Sequence, residues 1–267
     1  MEQRYEVKNL KISNRRHDKQ DKMVNKESWL YGLNPVLEAV KSGRKITSIY
    51  ISKQRHEQTQ KIIGLAKEHG VHIEFADKEF FDSKFHKGHQ GVAALVEKKR
   101  ILSIDELLAI PEKRGETPFF LILDLIEDPR NFGAILRVAD AAGVHGVVFQ
   151  SHRSAGVTSL VSKASAGALE YVNLVEVVNI KHAIEKMKKL DITIIGAEAD
   201  SELTIWDVDM KVPLAVVIGS EGEGLRRTVK EMCDFTVNLP MRGTVNSLNV
   251  SVATGILAYE VMRQRLK

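Results

Sequence analysis

The sequence predicts an α/β protein: a larger C-terminal domain built on a parallel sheet, preceded by a small N-terminal α/β domain. Three observations point there. From residue 118 onward, apolar runs alternate with amphipathic helical stretches. Those runs ("FFLILDLI", "HGVVFQ", "ITIIGAE", "LAVVIGS" and "FTVNLP") are apolar on both faces, as strands must be when helices cover both sides of a parallel sheet. The chain has 267 residues, enough for two modest domains with cores of their own.

Taken in order, residues 1–28 mix acidic and basic side chains with little periodicity and read as a flexible polar tail. Arg15, Arg16, Lys19 and Lys22 leave open a second reading, an RNA-contacting arm. Residues 29–97 form a compact α/β domain. "NPVLEAVKSG" is a helix with Pro35 in its first turn and Gly43 at its end, and "EQTQKIIGLAKEHG" is a second helix stopped by Gly70. "ITSIYIS", "VHIEFAD" and "GVAALVE" are strands by their branched and alternating residues. In "HKGHQG", His86 and His89 stand at i, i+3, which suggests either a metal pair or a polar loop; no Cys or carboxylate cluster accompanies them. Residues 98–117 read as a linker carrying one short amphipathic helix near 104–110. In the domain at 118–267, helices fall near 131–142, 158–168, 180–190, 224–232 and 248–264.

Bulk properties narrow the class. Hydrophobic residues make up 43% and charged residues 28% of the chain, ordinary for a soluble protein. A net charge of +4 permits a polyanionic partner without requiring one. The single cysteine, Cys233, cannot form an intramolecular disulfide, which fits a reducing cytoplasm, and it reads as an inert core thiol. No apolar run reaches the roughly 20 residues of a membrane span, and the N-terminus lacks the apolar segment of a secretory signal.

Ligands of open parallel sheets bind beyond the carboxyl ends of the strands, so the segments after each strand carry the functional reading. Three are unusual: "EDPRNFGAILRVADAAG" after the first strand of the larger domain, "GSEGEGLRR" after "LAVVI", and "MRGTVNSLNVS" after "FTVNLP". Glycines 219, 222 and 224 fit neither G-x-G-x-x-G nor a P-loop, but they permit close backbone approach to a ligand. Residue by residue, plainer explanations stand beside the functional ones. Glu221 is favoured near a helix N-terminus, Arg137 projects opposite its helix's apolar face and could pair with Asp140, and Asn131, Ser247 and Asn249 suit helix caps. Three such loops at strand ends together argue for a binding site.

The three segments, in this order, resemble the signature motifs of the SpoU (TrmH-type) branch of the SPOUT RNA methyltransferases, and with the strands and helices that flank them they span most of residues 120–264. "YGLNPVLEAV" with "HKGHQGVAAL" resembles that family's N-terminal substrate-binding domain, of ribosomal-protein L30e type. The resemblance implies a deep trefoil knot that forms an S-adenosylmethionine pocket, a homodimer with active sites near the subunit interface, and transfer of a methyl group to an RNA ribose 2′-hydroxyl. The implied target is a guanosine of 23S ribosomal RNA. The motif match assigns Arg137, Asn131, Glu221, Ser247 and Asn249 to catalysis and substrate positioning, and the backbone around Ile218, Gly219, Leu239, Met241 and Leu248 to the cofactor. It implies no metal. Lys98, Lys99, Arg100, Arg153, Arg226 and Arg227 are phosphate contacts or merely solvated. Competing readings are a tRNA or another ribosomal nucleotide as target, a non-catalytic RNA-binding assembly factor on the same scaffold, and a nicotinamide-dependent dehydrogenase, which the absence of G-x-G-x-x-G after the first strand disfavours.

Overall fold

The computed structural model describes residues 27–54, 56–85, 87–245 and 247–266. The chain divides into two compact units, with the boundary between Lys98 and Lys99. The tail expected at 1–28 lies almost wholly outside the described residues, as does His86.

The first unit runs β1 (Glu27–Tyr31), α1 (Leu33–Lys41), β2 (Ile46–Ser52), α2 (His56–Glu68), β3 (Ile73–Ala76), α3 (Lys78–Lys84) and β4 (Val92–Glu97). The strand order is β1-β4-β2-β3, with β4 antiparallel to β1 and β2, and β2 parallel to β3. Alternation along the strands splits the side chains between two faces. Leu30, Ile49, Ile51, Val92, Ala94 and Val96 pack with Val36 and Ile62 of the helices. Tyr31 and Ala93 face the other way, toward Phe81, with Trp29, Tyr50, Phe80 and Phe85 packed around them. Strand β1 was not among the expected elements; its Trp29 pairs with Leu95 in an antiparallel register that its own short sequence does not announce. His89 is a loop brace: Nε2 lies 3.0 Å from Asp82 Oδ1, Nδ1 accepts the Gly91 N–H, and the ring stacks on Phe81.

The second unit runs α4 (Ile104–Arg114), β5 (Phe119–Leu123), α5 (Pro129–Ala141), β6 (Gly146–Gln150), α6 (Ser159–Ala164), a 3-10 turn (Ala168–Glu170), β7 (Leu174–Val177), α7 (Ile180–Lys188), β8 (Thr193–Ala197), β9 (Leu214–Ile218), α8 (Arg227–Lys230), β10 (Phe235–Val237) and α9 (Val250–Arg265). Its strands pair in the order β10-β8-β9-β5-β6-β7, each pair parallel. The expected α/β class with a parallel sheet is thus the observed one. Both faces are buried, as continuous apolar strands require. Leu121, Val147, Val216 and Ile218 pack with Phe132, Ile135 and Leu136 of α5 and Leu257 and Val261 of α9. Their neighbours Ile122, Val148 and Val217 point to the other face, where α7 presents Ile180, Ile184 and Met187. Strand β7 was missed because it is only four residues long and carries Glu176; it pairs with β6.

One expectation changes. Residues 98–117 are not a free linker, because α4 is built into the second unit. Ser103 and Glu106 form a capping box, each side chain bonding the other's backbone N–H. Leu107 is fully buried over Gly146, where an added Cβ would stand 2.3 Å from Leu107 Cδ1. Ile104, Leu108 and Ile110 pack beside Leu107 on the same core, between charge-rich flanks.

The last helix is tied down at its end. The Arg265 guanidinium donates to the carbonyls of Met210, Thr117, Pro118 and Val212 and lies over the Phe119 ring. Arg265→Met removes those donors and should lower unfolding free energy by about 2 kcal/mol; a urea midpoint unchanged from wild type would refute this role. His145 is buried, with Nε2 2.9 Å from Glu116 Oε2 and Nδ1 accepting the Phe119 N–H at 3.1 Å. Burial holds its pKa below the ordinary histidine value, so the unfolded chain takes up the proton first. Its contribution is therefore complete above about pH 6.5 and is lost as pH falls through the depressed folded value. The urea midpoint should drop between pH 7 and pH 5 more steeply in wild type than in His145→Asn, and equal slopes would refute it.

Candidate active site

Three strand-end loops converge on one cavity of about 790 Å³ in the second unit. Its wall is built from residues 197–200 after β8, 218–224 after β9, 237–241 at the end of β10, and 247–257 leading into α9. Each of these segments follows an apolar strand or opens an apolar helix. The sheet interior fixes their roots while their polar residues remain outside.

The loop after β9 turns back on itself. Ser220 and Gly224 exchange two backbone hydrogen bonds, both 3.1 Å. This brings Gly219 so close to Gly224 that an added Cβ would lie 2.2 Å from the Gly224 carbonyl carbon. Only glycine fits there. The tip of the turn carries Glu221, well before α8 begins at Arg227, so a helix terminus does not explain this carboxylate.

A side-chain network crosses the mouth of the turn. Asn131 Nδ2 donates to Glu221 Oε1 at 2.7 Å. Asn249 Nδ2 donates to the same Glu221 oxygen and to Asn131 Oδ1, both at 3.0 Å. Asn249 is also the N-cap of α9, accepting the Ser251 N–H at 2.9 Å. Its two roles need opposite ends of one amide. Asn131 is not a cap: Asp128 caps α5 and Pro129 occupies the first turn, which leaves Asn131 buried and free to bridge the loops.

All five residues expected to hold a cofactor line this cavity: Ile218, Gly219, Leu239, Met241 and Leu248. Of the five expected to act in catalysis, Glu221, Ser247 and Asn249 line it, and Asn131 joins it through the network. Arg137 stands apart. It lies on the exposed face of α5, outside the cavity wall, and makes no hydrogen bond or ion pair with a described residue, so the pairing with Asp140 is not made. Beside it on the same face of the sheet, α9 exposes Val252, Ile256 and Tyr259 at helical spacing.

Two wall residues were not singled out from sequence, Glu198 and Asp200. Lys230 Nζ bonds both, at 3.2 and 2.8 Å, and its hydrogen bond holds the Asp200 carboxyl below its ordinary range. The charged side chains of the wall are thus Glu198, Asp200 and Glu221, all acidic. Such a wall favours a cationic ligand. Cys233 lies behind the wall, and burial pushes its thiol up to about 12, the behaviour of an inert core residue. Of the basic residues considered for phosphate contact, Lys99, Arg100 and Arg227 are engaged by Glu170, Glu106 and Glu231, and Arg153 lies 3.9 Å from Glu127. Among the described residues, no group of three or more His, Cys, Asp and Glu side chains could hold a metal ion, and no helix is long and apolar enough to cross a membrane.

Comparison with known proteins gives concordant matches. Residues 118–259 match the SpoU rRNA Methylase family, and residues 29–102 match the domain described as RNA 2′-O ribose methyltransferase substrate binding. A Bacillus subtilis protein named for the TrmH family of tRNA/rRNA methyltransferases is 42% identical over 244 residues, covering 91% of this chain and 98% of its own. A 23S rRNA (guanosine-2′-O-)-methyltransferase of Shewanella oneidensis is 39% identical over 248 residues, covering 91% and 99%. In structure, the SpoU methyltransferase AviRb of Streptomyces viridochromogenes superposes with a TM-score of 0.76 at 22% identity, over 92% of this chain and 93% of that one.

The close packing at Gly219 makes a sharp expectation. Gly219→Ala should force the 219–224 turn apart and lower the melting temperature by several degrees, equivalent to roughly 2 kcal/mol of strain. A variant that melts with wild type would show that the turn is not closed in this way.

Proposed function

The chain belongs to the SpoU rRNA methylase family, and from that premise we propose that it transfers a methyl group from S-adenosylmethionine to a ribose 2′-hydroxyl of RNA. The observation that carries this reading is that two of the motif segments, 218–224 and 241–249, line one cavity, while Asn131 of the third is bonded to Glu221 and Asn249 at its mouth. The target proposed is a guanosine of 23S ribosomal RNA, supported by the Shewanella oneidensis relative, which matches over nearly its whole length. A tRNA target is the second reading, favoured by the broader name of the Bacillus subtilis relative. A cytoplasmic setting belongs to the same proposal.

The residues present fit the proposed methyl donor. The cavity has the size of a small-molecule site. Backbone at Ile218, Gly219, Leu239, Met241 and Leu248 can recognise an adenine edge without charged side chains, and the acidic wall suits a sulfonium and an ammonium. When bound, S-adenosylmethionine supplies an electrophilic methyl group. The chain must then align the ribose hydroxyl and stabilise charge as its proton departs. Glu221, oriented by both asparagines, and Ser247 border the space where that alignment takes place.

Arg137 is assigned to the 2′-hydroxyl. A guanidinium stays protonated and is a poor base, so its role is to hold phosphate and stabilise developing oxyanion charge. Its distance from the cavity wall supports the homodimer in this proposal. A second copy packed on the exposed Val252, Ile256 and Tyr259 stripe would cover the face that carries Arg137 and bring it to a subunit boundary. The finer topology belongs here too: the trefoil knot made by the segment leading into α9, and the L30e-like character of residues 29–97. The convergence of the loops at 218–224, 237–241 and 247–249 on one cavity supports the first. The family match over 29–102 supports the second.

Incubation with labelled S-adenosylmethionine and unmodified 23S ribosomal RNA or bulk tRNA, followed by mapping, tests the reading. A single 2′-O-methylguanosine in 23S RNA is the expected result. Label in tRNA alone would overturn the target, and no label with no cofactor binding would overturn the activity. Arg137→Ala should reduce methylation by about a thousandfold or more while leaving calorimetric cofactor affinity near wild type; turnover near wild type would remove Arg137 from the mechanism. Ile256→Asp should convert a dimer to monomer in sedimentation equilibrium, and an unchanged mass would place the interface elsewhere.

A further inference from the structure

The Gly219–Gly224 turn is held from two sides by carboxylates outside the family motifs' polar positions considered so far. Glu198, just beyond β8, accepts the Leu225 N–H through Oε1 at 2.6 Å. Asp124, just beyond β5, accepts the next amide, Arg226 N–H, through Oδ2 at 3.0 Å. Two consecutive backbone donors at the root of the turn are thus taken by carboxylates from the strands on either side of β9.

The second of these is locked further. Asp124 is fully buried, and the Arg226 guanidinium covers it, with Nε 2.7 Å and Nη2 2.6 Å from Oδ1. Arg226 Nη2 also donates to Gln150 Oε1, at the end of β6, at 2.8 Å. A buried carboxylate is tolerated only with this degree of satisfaction, and removing one partner leaves the other charge stranded. The outcome is one chain of hydrogen bonds running along four adjacent strand ends, β8, β9, β5 and β6.

We infer that Asp124 and Glu198 are positioning residues of the methyl-transfer site: by fixing Leu225 and Arg226 they set the turn so that Glu221 meets Asn131 and Asn249. The inference rests on the reading of the cavity as the methyl-donor site. Glu198 acts as a hydrogen-bond acceptor for the backbone. Its charge is already answered by Lys230, whose Nζ lies 3.2 Å from Oε2. The acceptor, not the charge, is therefore the property that matters at position 198, and glutamine can supply it. At position 124 the charge itself is needed, because Oδ1 takes two donors from a guanidinium while Oδ2 takes the amide. Asparagine would turn an NH₂ toward one of those donors.

The test compares the full-length wild type with Glu198→Ala, Glu198→Gln and Asp124→Asn by amide hydrogen exchange over residues 219–226 and by calorimetric titration with S-adenosylmethionine. In Glu198→Ala, exchange of the Leu225 amide should quicken and donor affinity should weaken, each by about tenfold, the loss of one hydrogen bond. Glu198→Gln should return both to within about threefold of wild type, and Asp124→Asn should expose the Arg226 amide. Exchange and affinity unchanged in Glu198→Ala would overturn the inference. So would a Gln variant as impaired as the Ala variant, which would make charge the determinant. Should Glu198→Ala not fold, the Gln and Asn variants decide on the same readouts. A wild type that does not bind the donor, while the exchange pattern follows expectation, would instead refute the proposed cofactor and leave the support of the turn standing.

Discussion

Everything at the candidate site depends on how the backbone at the carboxyl ends of four parallel strands satisfies its hydrogen bonds. The turn after β9 must leave the sheet, double back within van der Waals contact of itself and still present Glu221 outward. Glycines permit that path, but they do not select it from the many others open to a Gly-rich loop, whose freedom is costly to freeze. Selection comes from fixed acceptors on both sides, Glu198 and Asp124, anchored by strands whose interiors are wholly apolar. The rigid sheet supplies the reference frame, and the carboxylates transfer that frame to the loop. Asn131 and Asn249 then read the loop's position from two helices that pack on the same face of the sheet.

Much of this was legible in the sequence. Strands apolar on both faces predicted a parallel sheet, and its sites follow from where such strands end. Gly219, Ser247 and Asn249 were visible as polar or flexible residues set against apolar elements, which is costly unless the segment borders a site or caps a helix. Asn249 caps α9 and also lines the cavity. Asn131 looked like a cap because it opens a helix; Asp128, three positions earlier, takes that role.

The remainder was hidden for physical reasons. Asp124 sits within "LILDLI", where a lone acid in an apolar strand signals nothing about its partner, and that partner, Arg226, lies 102 residues away. Glu198 reaches Leu225 across 27 residues and a strand crossover. Such bonds are set by strand order, β8 beside β9 beside β5, which no local pattern encodes. The helix at 104–114 was expected, but not its place in the second unit, since the surface its apolar residues cover belongs to strands distant in sequence. Arg137 is the reverse case. Its motif position was plain, yet it faces outward beside an apolar stripe, the face that the proposed homodimer would cover.

The central claim is that loops 218–224, 237–241 and 247–249 form one pocket for the methyl donor. Ultraviolet cross-linking of the full-length protein with S-adenosylmethionine labelled in its methyl group, followed by peptide mapping, tests it most directly. The account predicts label confined to peptides containing those three loops and displaced by excess unlabelled donor. Displaceable label elsewhere, in residues 27–98 or on the outward faces of α5 and α9, would contradict it.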